Sequence, residues 1–141
     1  MQQVGYLLDD KGTEIFSIAP EATVAEAVDL MADKGVGSLL VMQDGALRGI
    51  VTERDYARKV VAGGLSSETA RVRDIMTVDV FTTVVDQNID ECMMLMTEKR
   101  IRHLPVVEGD RVLGIISIGD LVKAIISDNQ RALGALDKSR D

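Results

Sequence analysis

Residues 49–55 read GIVTERD and residues 114–120 read GIISIGD. In each, a Gly follows an apolar run, and a hydroxyl residue precedes an Asp by three positions: Thr52 and Asp55, then Ser117 and Asp120. The two stretches stand 65 residues apart, and that offset holds well beyond them. Laid over 80–126 without a gap, residues 15–61 bring Phe16 to Phe81, Glu26 to Glu91, Leu30-Met31 to Leu95-Met96, Lys34 to Lys99, Leu39 to Leu104 and Val41 to Val106. Most remaining pairs exchange one apolar residue for another. A single register over this length is the signature of an internal repeat.

Each copy predicts the same elements. A short strand opens it, at Ile15–Ile18 and again at Val80–Thr83. A helix follows, with Val24, Ala27, Val28 and Met31, or Ile89, Cys92, Met93 and Met96, on one face. Thr23 with Glu26, and Asn88 with Glu91, stand as N-cap and N3 partners at its start. Two apolar runs come next, split by Gln43-Asp44-Gly45 or by Glu108-Gly109-Asp110, which is hairpin chemistry. A last helix carries Tyr56, Ala57, Val60 and Val61, or Leu121, Val122, Ile125 and Ile126.

The unit is β-α-β-β-α and the fold class α+β. The expected order is an N-terminal extension 1–14 with a helical turn at Val4–Leu8, a first repeat 15–62, a linker 63–79 with a short helical turn at Val72–Met76, a second repeat 80–128 and a polar, frayed tail 129–141. Neither copy has a long core of its own, so the two sheets are expected to pack on each other about a pseudo-twofold axis.

The chain has 141 residues, 46% of them hydrophobic, a net charge of −7 and a pI of about 4.7. This composition suits one compact domain and argues against duplex nucleic acid or anionic membrane as a partner. No apolar run reaches the ~20 residues of a spanning helix. The first residues lack the basic-then-apolar order of a signal peptide. The single Cys92 leaves no internal disulfide and no CxxC metal site. A cytoplasmic protein without a metal is expected. An enzyme is not, since no phosphate loop, nucleophile elbow or metal-ligand cluster is present. Charge is uneven, however. Arg48 to Arg73 holds six basic residues against three acidic ones, and Lys99-Arg100-Ile101-Arg102-His103 forms a second cluster. Both read either as solvated faces or as a local anion site.

The hydroxyl–x–x–Asp boxes admit two readings. As helix caps, Thr52 and Ser117 accept from backbone N–H groups while the Asp suits the helix dipole. As ligand groups, Asp is shorter than the Glu used at the first helices, so its carboxylate is left free to accept from a vicinal diol. The strand-to-helix junction also offers N–H groups to a phosphate. Gly49 and Gly114 permit close approach of a ligand or a neighbouring chain. Spacing alone leaves the two readings even.

The doubled unit, with GIVTERD and GIISIGD closing its strands and RIRHLPVV at 100–107, resembles a tandem pair of CBS domains, the Bateman module, over about residues 13–128. The resemblance implies a regulatory module that binds an adenine nucleotide (AMP, ADP, ATP or NAD) between its repeats and signals energy state to an unknown regulated protein. It also implies sites built crosswise. Site A takes Thr52, Arg54 and Asp55 from the first copy, with Thr82, Thr83, Val84, Ile101, Arg102, His103 and Leu104 from the second. Asp55 faces the ribose, while Arg54, Arg102 and His103 meet phosphate. Site B takes Ser117 and Asp120 with Ser17, Ile18, Ala19, Val36, Gly37, Ser38 and Leu39. It departs from the richer pattern: Gly119 stands where Arg54 does, and Gly37-Ser38 where Arg102-His103 do. A homodimer is implied as well, packed through helices on which Met94, Leu121 and Ile125 are expected to be exposed. The alternative is an interaction scaffold whose clefts are vestigial.

Overall fold

The computed structural model describes the backbone of residues 2–11 and 14–140, and side chains of 2–9 and 14–130. In chain order the elements are α1 (Val4–Lys11), β1 (Ser17–Ile18), α2 (Val24–Lys34), β2 (Ser38–Gln43), β3 (Ala46–Thr52), α3 (Glu53–Asp55) running on as a π-helical segment (Tyr56–Val61), α4 (Val72–Ile75), α5 (Ile89–Lys99), β4 (His103–Glu108), β5 (Arg111–Ser117) and α6 (Ile118–Arg140). The fold is α+β with two tandem repeats, and it divides into two compact units. One is residues 14–80; the other joins the N-terminal segment to the chain from 81 onward.

The first unit is built on the sheet β1-β2-β3. Strand β1 runs parallel to β2 (Ser17↔Leu40, Ile18↔Val41), so the strand expected at Ile15–Ile18 shortens to its last two residues. Strands β2 and β3 are antiparallel, closed by Asp44-Gly45, whose φ values of 53° and 78° are both positive. That is the type I′ pattern, which matches the twist of the flanking strands. Helix α2 starts on Thr23, whose side chain accepts from the Glu26 N–H at 3.1 Å, and stops on Gly35 at φ 65°. Its buried stripe, Val24, Ala27 and Met31, packs with Leu39, Val41 and Val51. Fully burying a Val, Leu or Met side chain stabilises by about 1.5–3 kcal/mol. The segment expected as a linker enters the same core through Ala70, Val72 and Ile75.

The last helix of this repeat departs from expectation. Ala62 and Leu65 donate to the carbonyls of Ala57 and Val60, five residues back. This wider spacing moves the inward face off the 3.6-residue period. Val60 is buried, but Val61 is 65% exposed and Ala57 also faces outward.

In the second unit β4 and β5 form a hairpin, with Gly109 at φ 59° opening its turn. The strand expected at Val80–Thr83 reduces to one parallel bridge, Thr83↔Val106. Helix α1 docks here: Val4 donates to the Gln87 carbonyl at 2.9 Å and Gly5 to that of Val85 at 2.8 Å. Its Val4, Leu7 and Leu8 join Ile89, Cys92, Met96, Leu104, Val106, Ile116, Leu121 and Ala124 in one core. The segment before the first repeat thus completes the second unit, and the segment before the second repeat completes the first.

The exposure expected of two α6 residues is corrected. Leu121 is fully buried and Ile125 packs against the core, because α6 turns those positions inward. Among the described residues, the large apolar side chains exposed on α5 and α6 are Met94 (70%), Val122 (44%) and Ile126 (50%). The backbone of α6 continues through Arg140, across the segment expected as a frayed tail; side chains beyond 130 lie outside the described residues.

Candidate functional site

Both boxes form at a strand end, and both close as caps. Thr52 accepts from the Asp55 N–H at 3.1 Å, and Asp55 Oδ2 accepts in return from the Thr52 N–H at 3.0 Å and the Thr52 hydroxyl at 3.1 Å. In the second unit Ser117 accepts from the Asp120 N–H at 3.2 Å, and Asp120 Oδ2 accepts from the Ser117 N–H at 2.8 Å. Asp therefore has the reach to close the box, and the expectation that its shortness leaves the carboxylate free is corrected. Around it Asp55 Oδ1 accepts from Lys59 Nζ at 3.2 Å and from the Thr77 hydroxyl at 3.4 Å. Asp55 is 8% exposed, so these donors do the work that water does for a surface carboxylate.

Each unit repeats this edge. In the first, Ser38 pairs with Thr52, and the Glu53 N–H donates to the Gly37 carbonyl at 3.1 Å. In the second, His103 pairs with Ser117, and the Ile118 N–H donates to the Arg102 carbonyl at 2.9 Å. Within a unit the structure thus brings Val36, Gly37 and Ser38 beside Thr52, Arg54 and Asp55, and Ile101, Arg102 and His103 beside Ser117 and Asp120. Ser17, Ile18 and Ala19 begin opposite Leu40 and run toward the hairpin, about 7–13 Å farther along at ordinary strand rise.

Not every candidate offers a side chain to a ligand. Leu104 is fully buried in the core and Ser38 is 9% exposed. Ile18, Val36 and Ile101 pack against the cores of their own units. Thr83 is buried, its hydroxyl within 3.4 Å of Cys92 Sγ and its backbone bonded to Pro105 and Val107. Burial pushes the Cys92 thiol up from its ordinary range; the Thr83 contact offsets part of this and the charge of Glu91 adds to it. Arg54, Arg102, Thr82 and Val84 are exposed, and His103 and Asp120 are half-buried. A cleft of about 330 Å³ lies in the second unit, lined by Thr82, Thr83, Val84, Gln87, Glu91, Cys92 and Leu95.

Sequence reasoning missed Lys59 and Thr77. Lys59 carried a legible signal, four residues after Asp55 on a helix. Thr77 carried none, because only the fold brings it to the strand end. Among the described residues no cluster of three or more His, Cys, Asp or Glu is placed to hold a metal. No described helix is long and apolar enough to cross a membrane.

The CBS domain family profile matches residues 11–62 and 72–127, the two copies of the repeat. The chain belongs to the CBS domain family. Among CBS-domain proteins it is 41% identical over 120 residues to the mitochondrial CBSX3 of Arabidopsis thaliana, covering 82% of this chain but only 58% of that protein's length. YhcV of Bacillus subtilis is 31% identical over 128 residues, 91% of this chain and 90% of the relative. A solved CBS-domain protein from Burkholderia ambifaria is 49% identical with a TM-score of 0.87, covering 90% and 96% of the two chains. The CBS pair of protein MJ0100, solved with 5′-methylthioadenosine and S-adenosyl-L-methionine, shares the fold at a TM-score of 0.78 and 23% identity, over 91% and 98% of the two chains.

Proposed function

We propose that this chain is a regulatory module that binds an adenine nucleotide, AMP, ADP, ATP or NAD, and passes its occupancy to a partner protein by a change of shape. The observation that carries the reading is the duplicated strand-end box, Thr52–Asp55 and Ser117–Asp120, set in a tandem CBS framework. In each copy a carboxylate stands where a strand runs into a helix, an edge that suits a sugar diol. Exposed Arg54 and Arg102 add guanidinium groups suited to phosphate. The family resemblance supplies the grouping: Asp55 and Arg54 serve one ligand with Arg102 and His103, and Asp120 serves a poorer one. The ligand-bound relative of the same fold supports the adenosyl class of ligand. The reading includes no catalysis, a cytoplasmic location and a homodimer.

Calorimetry of the purified chain against AMP, ADP, ATP and NAD tests it. Saturable binding that weakens in both Asp55→Ala and Arg102→Ala, with coupling in the double variant, is the expected result. A second reading also has an observation behind it. The Asp55 carboxylate is fully engaged inside its own unit, as a purely structural cap would be. In that case the protein is an interaction scaffold, and the adenylates give neither heat nor a shift in melting temperature.

A further inference from the structure

A carboxylate offers about four lone-pair sites. On Asp55 four donors occupy them: the Thr52 N–H and hydroxyl on Oδ2, Lys59 Nζ and the Thr77 hydroxyl on Oδ1. A ligand diol therefore displaces donors when it binds. The Oδ2 pair is fixed by the backbone of the box itself. The Oδ1 pair comes from a lysine side chain that is 45% exposed and from a long contact of 3.4 Å, so it yields first.

Both Oδ1 donors also hold the segment that leads out of the first repeat. Lys59 Nζ donates at 2.8 Å to the carbonyl of Ile75, the last residue of α4. Thr77 pairs with Ile50 through two backbone hydrogen bonds of 2.8 and 3.0 Å. Asp55 is thus the anchor on which Lys59 and Thr77 fasten residues 75–77 to the end of β3. The second repeat has no matching lysine, since the offset of 65 residues takes Lys59 to Ala124.

We propose that Lys59 and Thr77 form a latch on residues 75–77 that a ligand at Asp55 must open. Occupancy of the strand end is thereby converted into release of the segment joining the repeats. This rests on the nucleotide reading above and names how that site reports its state. Lys59 is a positioning residue that competes with the ligand. Removing it frees Oδ1, so binding tightens, whereas loss of a merely structural lysine weakens it.

The test compares the full wild-type chain with Lys59→Met and Lys59→Arg, using AMP as probe, calorimetry for affinity and amide hydrogen exchange at Thr77 and Ile50. In Lys59→Met, ligand-free protection of the Thr77 amide falls, and AMP binds about two- to fivefold tighter, the range expected for losing one half-exposed ion pair. Lys59→Arg retains the wild-type protection. Saturating AMP lowers Thr77 protection in the wild type to the level of Lys59→Met. Unchanged or weaker AMP binding in a folded Lys59→Met overturns the latch, as does unchanged Thr77 exchange on saturation with AMP. If the wild type binds no adenylate, the nucleotide reading and the ligand-opened latch both fall. The ligand-free exchange of Lys59→Met then still shows whether Lys59 holds the segment as a structural tie.

Discussion

A Cβ built on Gly49 would stand 2.7 Å from the carbonyl oxygen of Thr77, a distance that real Cβ contacts do not reach. Gly49 is therefore required by the chain itself, because the segment after α4 lies against β3. At Gly114, its partner in the repeat, the obstacle is different: Leu8 Cδ2 at 2.8 Å, the tip of a side chain from α1. Gly49→Ala should lose about 1–3 kcal/mol or more, since a backbone carbonyl cannot move aside alone. Gly114→Ala should lose less, because a leucine can rotate. Urea unfolding of the two variants checks the order, and an equal or reversed cost contradicts this account.

The same pair of glycines shows how far the sequence could be read. The doubled register, the inward faces of α2 and α5 and both hairpins were legible, because periods and turn residues are local signals. The sequence also allowed a neighbouring chain as the reason for Gly49 and Gly114. Which chain was not legible, since α1 and α4 are short and gain their place only by long-range packing. Leu121 illustrates the remaining difficulty. Leu121, Val122, Ile125 and Ile126 are all apolar, and only tertiary contact decides which of them turn inward. At the site, Thr52 and Asp55 were legible as a box. That the box closes and recruits Lys59 and Thr77 needed the fold.

Asp55→Ala removes both a cap and the proposed diol acceptor. Loss of the cap should cost about 1 kcal/mol of stability. Loss of the diol contact should weaken AMP binding at least about tenfold, the share of a charge-assisted hydrogen bond. Asp120→Ala should lower stability in the same way and leave the main binding event largely intact. A folded Asp55→Ala that binds AMP like the wild type returns the residue to a capping role alone.

Arg102 is exposed at the approach to β4, and its backbone is already fixed by Ile118. If its guanidinium meets phosphate, Arg102→Ala should weaken AMP about tenfold and adenosine hardly at all. Parallel titrations of the two ligands decide it. Equal losses move Arg102 away from the phosphate.

Cys92 gives a pH signature. Burial raises its thiol, Glu91 adds to the rise, and the Thr83 contact opposes it. The folded chain therefore holds that proton more tightly than the unfolded chain. The resulting stability is fully present below the unfolded thiol value, about 8.5, and is lost as pH rises through the higher folded value. Cys92→Ala should flatten this alkaline decline in a series of urea unfolding curves. A thiol-labelling reagent at neutral pH should react with the native chain only slowly and with the urea-unfolded chain readily. Fast native labelling would show the thiol to be open.

The corrected exposures on α5 and α6 make the proposed dimer testable. Met94, Val122 and Ile126 are uncovered apolar side chains on helices whose other faces fill the core of the second unit. If two copies meet through these helices, Met94→Asp and Ile126→Asp should each yield folded monomers, because placing a carboxylate in an apolar contact leaves it unpaired. Leu121→Asp should instead unfold the chain, since that position is fully buried. Light scattering at low micromolar concentration, with circular dichroism to confirm folding, separates the outcomes. The wild type should scatter as twice its 15.3 kDa mass and the two surface variants as single chains. A wild type that scatters as one chain, with and without AMP, removes the dimer.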